Sequence, residues 1–172
     1  MLTKVILTVI GSDRPGLTEA LAAAVLDAGG NWLESRLSRL GGKYVGSVLV
    51  ELPADGLSAL RAAAGRIDAV GLKVEIVAAD GVAPLGTAMA FSLVGQDRPG
   101  IVREVSAVLA RLAVNIEDLE TGTEDEAWSG NRLFRAEARL LLPPGVEAGT
   151  VQDALEAISS EIMVDFKLAV PG

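Results

Sequence analysis

The chain has 172 residues, half of them hydrophobic, with 15 Lys and Arg against 23 Asp and Glu and a formal net charge of −8. That acidic balance argues against direct nucleic-acid binding, because neutralising phosphates needs a basic surface. There is no cysteine and no histidine, which removes disulfides, thiolate and imidazole metal ligands, cysteine nucleophiles and the commonest general base near neutral pH.

The elements follow in chain order. Val5 to Ile10 is apolar apart from Thr8 and reads as a central strand broken by Gly11 and Ser12. Pro15 suits the first turn of a helix running to about Ala28, and Ser12 or Asp13 can cap it. Gly29-Gly30 stops that helix. A strand from Trp32 to Leu40 is expected to place Leu33 and Leu37 on one face, and Gly41-Gly42 turns it into a return strand, Tyr44 to Leu52, with Val48, Val50 and Leu52 inward. A second helix from about Leu57 to Val70 offers Leu60, Ala64 and Ile67 as its buried stripe, and Lys73 to Val77 closes the unit. The order is βαββαβ, the split βαβ or ferredoxin-like plan: an antiparallel four-stranded sheet with both helices on one face.

The plan then repeats. A short linker precedes a strand from Ala88 to Val94, a helix from Ile101 to Leu112, a strand around Ile116 to Glu120, a return strand from Leu133 to Leu142, a helix from Val151 to about Ile162 and a strand from Val164 to Val170. Asp13-Arg14-Pro15-Gly16 recurs as Asp97-Arg98-Pro99-Gly100, and the offset of 84 residues also maps Gly11 on Gly95, Leu21 on Val105, Val25 on Leu109 and Asn31 on Asn115. Two domains are therefore expected, 1–80 and 88–172, joined by 81–87. Units of ~80 residues are only marginally self-sufficient, so packing on each other or on a second chain is expected. The copies differ between Thr121 and Arg132, where a long acidic loop containing Trp128 is expected instead of a tight turn. Such a loop can cover a ligand, touch a partner or be a solvated tip.

A βαββαβ unit whose first corner carries Gly-x-Asp-Arg-Pro-Gly, with an asparagine fifteen residues beyond the last glycine, resembles an ACT domain. Two in tandem resemble the glycine cleavage system transcriptional repressor family. The resemblance implies a non-enzymatic regulator that binds a small amino acid, glycine or serine by analogy, without a cofactor. It also implies a homo-oligomer, a dimer foremost, and a protein partner such as a transcriptional regulator. A cytoplasmic location is expected by default, from the lack of a membrane-span-length apolar run and of a signal-peptide pattern. By motif match the ligand candidates are Asp13, Arg14, Gly16 and Asn31, with Asp97, Arg98, Gly100 and Asn115 in the second copy.

The chemistry fits an amino acid. A helix N-terminus offers free amides and a partial positive charge to a carboxylate, worth on the order of 0.3–1 kcal/mol when exposed. The glycines leave the backbone approachable, an aspartate can receive the ammonium group, and an asparagine can donate and accept. Each residue also has a structural explanation: the aspartates as helix caps, the glycines for close helix–strand packing, the arginines as solvated charges, the asparagines as turn residues. Two other functions compete, a ligand-independent interaction module pairing through exposed strand edges and an enzyme, for which no nucleophile–base arrangement emerges. The carboxylates at 117–126 lack the ligand spacing and glycine turn of a calcium loop, so no metal site is expected. The longest apolar run, near 20–26, is far shorter than the ~18 residues of a membrane span. The start has no charged region followed by an apolar one, as a signal peptide would have.

Overall fold

The computed structural model describes residues 1–68, 71–81, 85–125, 130–158 and 162–168. The chain divides into two compact units, Met1–Val82 and Ala83–Gly172. The first runs β1 (Leu2–Ser12), α1 (Leu17–Asp27), β2 (Asn31–Leu40), β3 (Lys43–Pro53), a 3-10 turn (Ala54–Gly56), α2 (Leu57–Asp68) and β4 (Leu72–Ala78). The second runs β5 (Thr87–Gln96), α3 (Ile101–Arg111), β6 (Asn115–Asp125), β7 (Arg132–Leu142), α4 (Ala148–Glu156) and β8 (Met163–Leu168). Both are βαββαβ, with sheets ordered β2-β3-β1-β4 and β6-β7-β5-β8. All neighbours are antiparallel, so the chain is α+β and consists of two ferredoxin-like units.

Period-two alternation builds each core. In the first unit Val5, Leu7 and Val9 of β1 and Val48, Val50 and Leu52 of β3 meet Leu17, Leu21 and Val25 of α1 and Leu60 and Ile67 of α2. In the second, Phe91 and Leu93 of β5 and Leu140 of β7 meet Ile101, Val105 and Leu109 of α3 and Leu155 of α4. Removing such a side chain from water contributes about 1.5–3 kcal/mol. No helix among the described residues is long and apolar enough to cross a membrane.

Three elements depart from expectation. A register shift between Trp32 and Glu34 makes Leu33 the bulged residue of β2, so it stays exposed while Trp32 and Leu37 pack on the core. A bulge inserts one residue and inverts the alternation beyond it, which separates Leu33 from the face of Leu37. Strand β6 does not give way to a loop at Thr121 but continues to Asp125, paired with Arg132. Ion pairs Arg135–Glu124 (2.6 Å) and Arg132–Asp125 (3.2 Å) join the two strands along this extension. The expected role of Trp128 falls on residues 126–129, outside the described residues. Helix α4 spans Ala148–Glu156, and Ile162 is buried beyond it, just before β8; residues 169 and 170 of the expected last strand lie outside the described residues.

Candidate functional site

Each Asp-Arg-Pro-Gly corner connects the end of the central strand to the start of the next helix. Gly16 has φ 91° and ψ −5°, and Gly100 has φ 92° and ψ −5°. In the second corner the Ile101 amide donates to the Arg98 carbonyl (3.3 Å) across Pro99-Gly100. Proline second and a left-handed glycine third are the residues of a type II turn. Pro15 and Pro99 thus belong to a turn that precedes the helix, not to its first helical turn as expected. The glycine is dictated by its backbone, since a Cβ on Gly16 would meet nothing within 4 Å, which sets aside close helix–strand packing as its reason.

The expected aspartate caps are absent as well. Gly16 and Gly100 occupy the N-cap positions, and neither α1 nor α3 has a side-chain cap hydrogen bond. Asp13 accepts from Arg39 Nε at 2.8 Å, a partly exposed pair across the end of β2. The start of α1 is therefore open to an acceptor from outside.

Around that helix start lies a shallow, solvent-open depression lined by Asp13, Arg14, Gly16, Thr18, Glu19 and Tyr44, among others. The Thr18 and Tyr44 hydroxyls are 2.6 Å apart, which joins α1 to the start of β3. Arg14 has no ion pair or hydrogen bond among the described residues. The lining therefore combines a cation, two carboxylates, two hydroxyls and uncapped amides, groups complementary to both ends of a zwitterion.

The second corner has the same backbone but different contacts. Arg98 Nη1 and Nη2 donate to Oε1 and Oε2 of Glu104 at 2.9 and 2.5 Å. This fork holds the Glu104 carboxyl below its ordinary range, chiefly through the hydrogen bond from Arg98. Thr18, Glu19 and Ala20 of the first copy correspond to Val102, Arg103 and Glu104. Tyr44, paired with Gly11 in the sheet, corresponds to Phe134, paired with Gly95.

Asn31 and Asn115 are not at these corners. Asn31 opens β2 opposite Glu51, which in turn faces Lys4 near the start of β1, whereas the corner follows Ser12 at its end. Eight residues of strand, about 26 Å, separate the two levels. Asn115 has the same place in β6, opposite Leu141, which faces Ala88. Within one unit the structure brings Asp, Arg and Gly together and leaves Asn at the other end of the sheet. An α-helix folds back along β1 before β2 begins, so the motif spacing concealed the separation.

ACT-domain models match residues 3–76 and, separately, residues 90–138, together more than two thirds of the chain. The chain belongs to the ACT-domain family. Its tandem ACT architecture is similar to a crystal structure of an unknown protein from Galdieria sulphuraria, with TM-score 0.81 and 29% identity over 99% of this chain and 100% of that one. It is also similar in fold to a protein provisionally described as a glycine cleavage system transcriptional repressor, with TM-score 0.74 and 15% identity over 98% of this chain and 99% of that one. In sequence it is 32% identical over 167 residues to phosphoserine phosphatase SerB2 of Mycobacterium tuberculosis, covering 94% of this chain. The chain spans 39% of the length of that relative.

Thr18, Glu19, Tyr44 and Glu104 were missing from the residues expected at the ACT corners. Glu104 had a visible signal, being a carboxylate in the first turn after a motif arginine, at a position where the first copy has alanine. Tyr44 had none, because only the sheet register carries it to the corner.

Proposed function

We propose that this chain is a non-catalytic regulatory protein in which an ACT corner binds a small free α-amino acid, glycine or serine foremost, and passes the occupancy to a protein partner. The observation that carries it is the depression around Arg14 and the uncapped start of α1, lined by charges of both signs. The carboxylate sits against Arg14 and the amides at the start of α1. The ammonium group faces Asp13 and Glu19, with Thr18 and Tyr44 offering hydroxyls to a serine side chain. Serine is supported further by the sequence relative, a phosphoserine phosphatase, since removal of phosphate from phosphoserine leaves serine. Glycine, and a part in transcriptional control of glycine metabolism, is supported by the ACT resemblance and the fold of the repressor-like neighbour.

Dimerisation gives the asparagine a role. Strand β2 is an edge strand, and antiparallel pairing of β2 in two copies sets Asn31 of one beside Leu40 of the other, next to that copy's corner. Strand β6 is the other sheet's matching edge but carries Glu117, Asp118, Glu120, Glu124 and Asp125; self-pairing there sets like charges together, which disfavours it. A β2-paired homodimer therefore completes the site, and ligand binding that strengthens this pairing supplies the coupling between occupancy and assembly. The protein is cytoplasmic in this proposal, and its effect on transcription passes through a protein because of the net negative charge.

The test is thermal unfolding of the purified chain against the twenty amino acids at millimolar concentration. At 100 times Kd a native-state ligand adds ~2.7 kcal/mol. A rise in Tm with one or two small amino acids is the expected result; no rise with any of them refutes amino-acid binding and leaves a ligand-independent pairing module.

A further inference from the structure

We propose that the two ACT corners have diverged into one open and one closed site: the first takes the amino acid, and the second is filled by Glu104, an internal carboxylate ligand of Arg98. The proposal rests on the first corner being an amino-acid site and assigns one ligand per chain.

Three matched positions carry it. Arg14 is without a charged partner among the described residues, whereas Arg98 holds Glu104 with both terminal nitrogens. The position of Glu104 is Ala20 in the first copy, so the first corner cannot close in this way. The carboxylate also lies over the turn: a Cβ on Gly100 would stand 4.0 Å from Glu104 Oε1, while the same position on Gly16 faces open space. A bidentate carboxylate is the partner a guanidinium fork matches best. A tethered one competes at an effective concentration that a free metabolite at millimolar levels does not readily exceed.

The remaining differences act in the same direction. Glu19, a neighbour for an ammonium group, is replaced by Arg103, which repels one. The hydroxyl pair of Thr18 and Tyr44 is replaced by Val102 and Phe134, which offer no hydrogen bond. The second corner keeps the type II turn and the arginine but loses the acidic and hydroxyl partners and gains an internal anion.

The test has two arms on the full chain. In the first, isothermal titration with glycine and with serine gives the number of sites per chain for wild type, Arg14→Ala and Arg98→Ala. One site per chain, weakened at least tenfold by Arg14→Ala, is expected. Two sites, or loss of binding with Arg98→Ala and not with Arg14→Ala, overturns the assignment while leaving amino-acid binding intact. Binding of neither ligand to wild type overturns the amino-acid site and, with it, the open corner. In the second arm, carbon-detected NMR follows the Glu104 carboxyl with pH. A midpoint below that of a free glutamate, restored by Arg98→Ala, is expected; a Glu104 that titrates as a free side chain overturns the closed corner, whatever the ligand arm shows.

Discussion

The Tyr44 hydroxyl on β3 lies 2.6 Å from Thr18 Oγ1 on α1, a bond that ties the helix after the first corner to the strand beside it. Its counterparts in the second unit, Phe134 and Val102, are both apolar. Replacing Tyr44 with Phe therefore brings one corner's chemistry to that of the other. The expected cost is about 0.5–1 kcal/mol in urea unfolding, with weaker binding of serine than in wild type and a smaller change for glycine. Equal losses for the two ligands would show that the hydroxyl does not reach the side chain.

Glu104 makes stability depend on pH in a defined direction. Its carboxyl is held below the ordinary value of 4.5, chiefly by the hydrogen bond from Arg98. A depressed folded-state pKa stabilises above the unfolded value and loses that stabilisation as pH falls through the folded one. The stability difference between wild type and Glu104→Gln is thus expected to be full above about pH 4.5 and to shrink below it. A difference that is constant from neutral pH to acid would show that the Arg98 fork does not hold in solution.

The corner glycines are required by conformation. Gly16 has φ 91° and faces open space, so Gly16→Ala meets no clash and bears only the cost of a left-handed alanine, roughly 1–2 kcal/mol. Chemical denaturation measures it, and a loss of several kcal/mol would mean that the position is packed.

The helix ends provide a substitution in the opposite direction. Helix α1 closes with Gly29 donating to Leu26 and Gly30 to Val25, both at 2.9 Å, and α3 closes with Ala113 to Ala110 at 3.0 Å and Val114 to Leu109 at 2.9 Å. This is the bond pattern of a Schellman motif. Where the first copy has Gly29 at φ 72°, the second holds Ala113 at φ 54°. Ala113→Gly is expected to raise stability by about 1 kcal/mol, the left-handed strain relieved less some gain in unfolded-state entropy. A lower Tm for this variant would contradict it.

Much of the fold was legible in the sequence because its signals were local and repeated. The nearly continuous apolar run at 5–10 and the alternation along 48–52 mark strands, the 3–4 spacing of Leu60, Ala64 and Ile67 marks a helix, and two copies of one motif point to a repeated plan. What was hidden depended on pairing between distant segments. The bulge at Leu33 and the extension of β6 to Asp125 follow from register and cross-strand ion pairs, neither of which a single strand's pattern contains. The motif led to the corners themselves, but it also suggested caps that the left-handed glycines replace and an asparagine that β2 carries to the far end of the sheet.

The most direct measurement of the central claim is a set of amide NMR spectra of the full chain titrated with glycine and with serine. The amides of Leu17, Thr18 and Glu19 at the start of α1 are compared with those of Ile101, Val102 and Arg103 at the start of α3. Shifts at the first set that saturate with ligand, with the second set unmoved, are the predicted result. No movement at 17–19 with either amino acid, or equal movement at 101–103, would contradict an amino-acid sensor with one open corner.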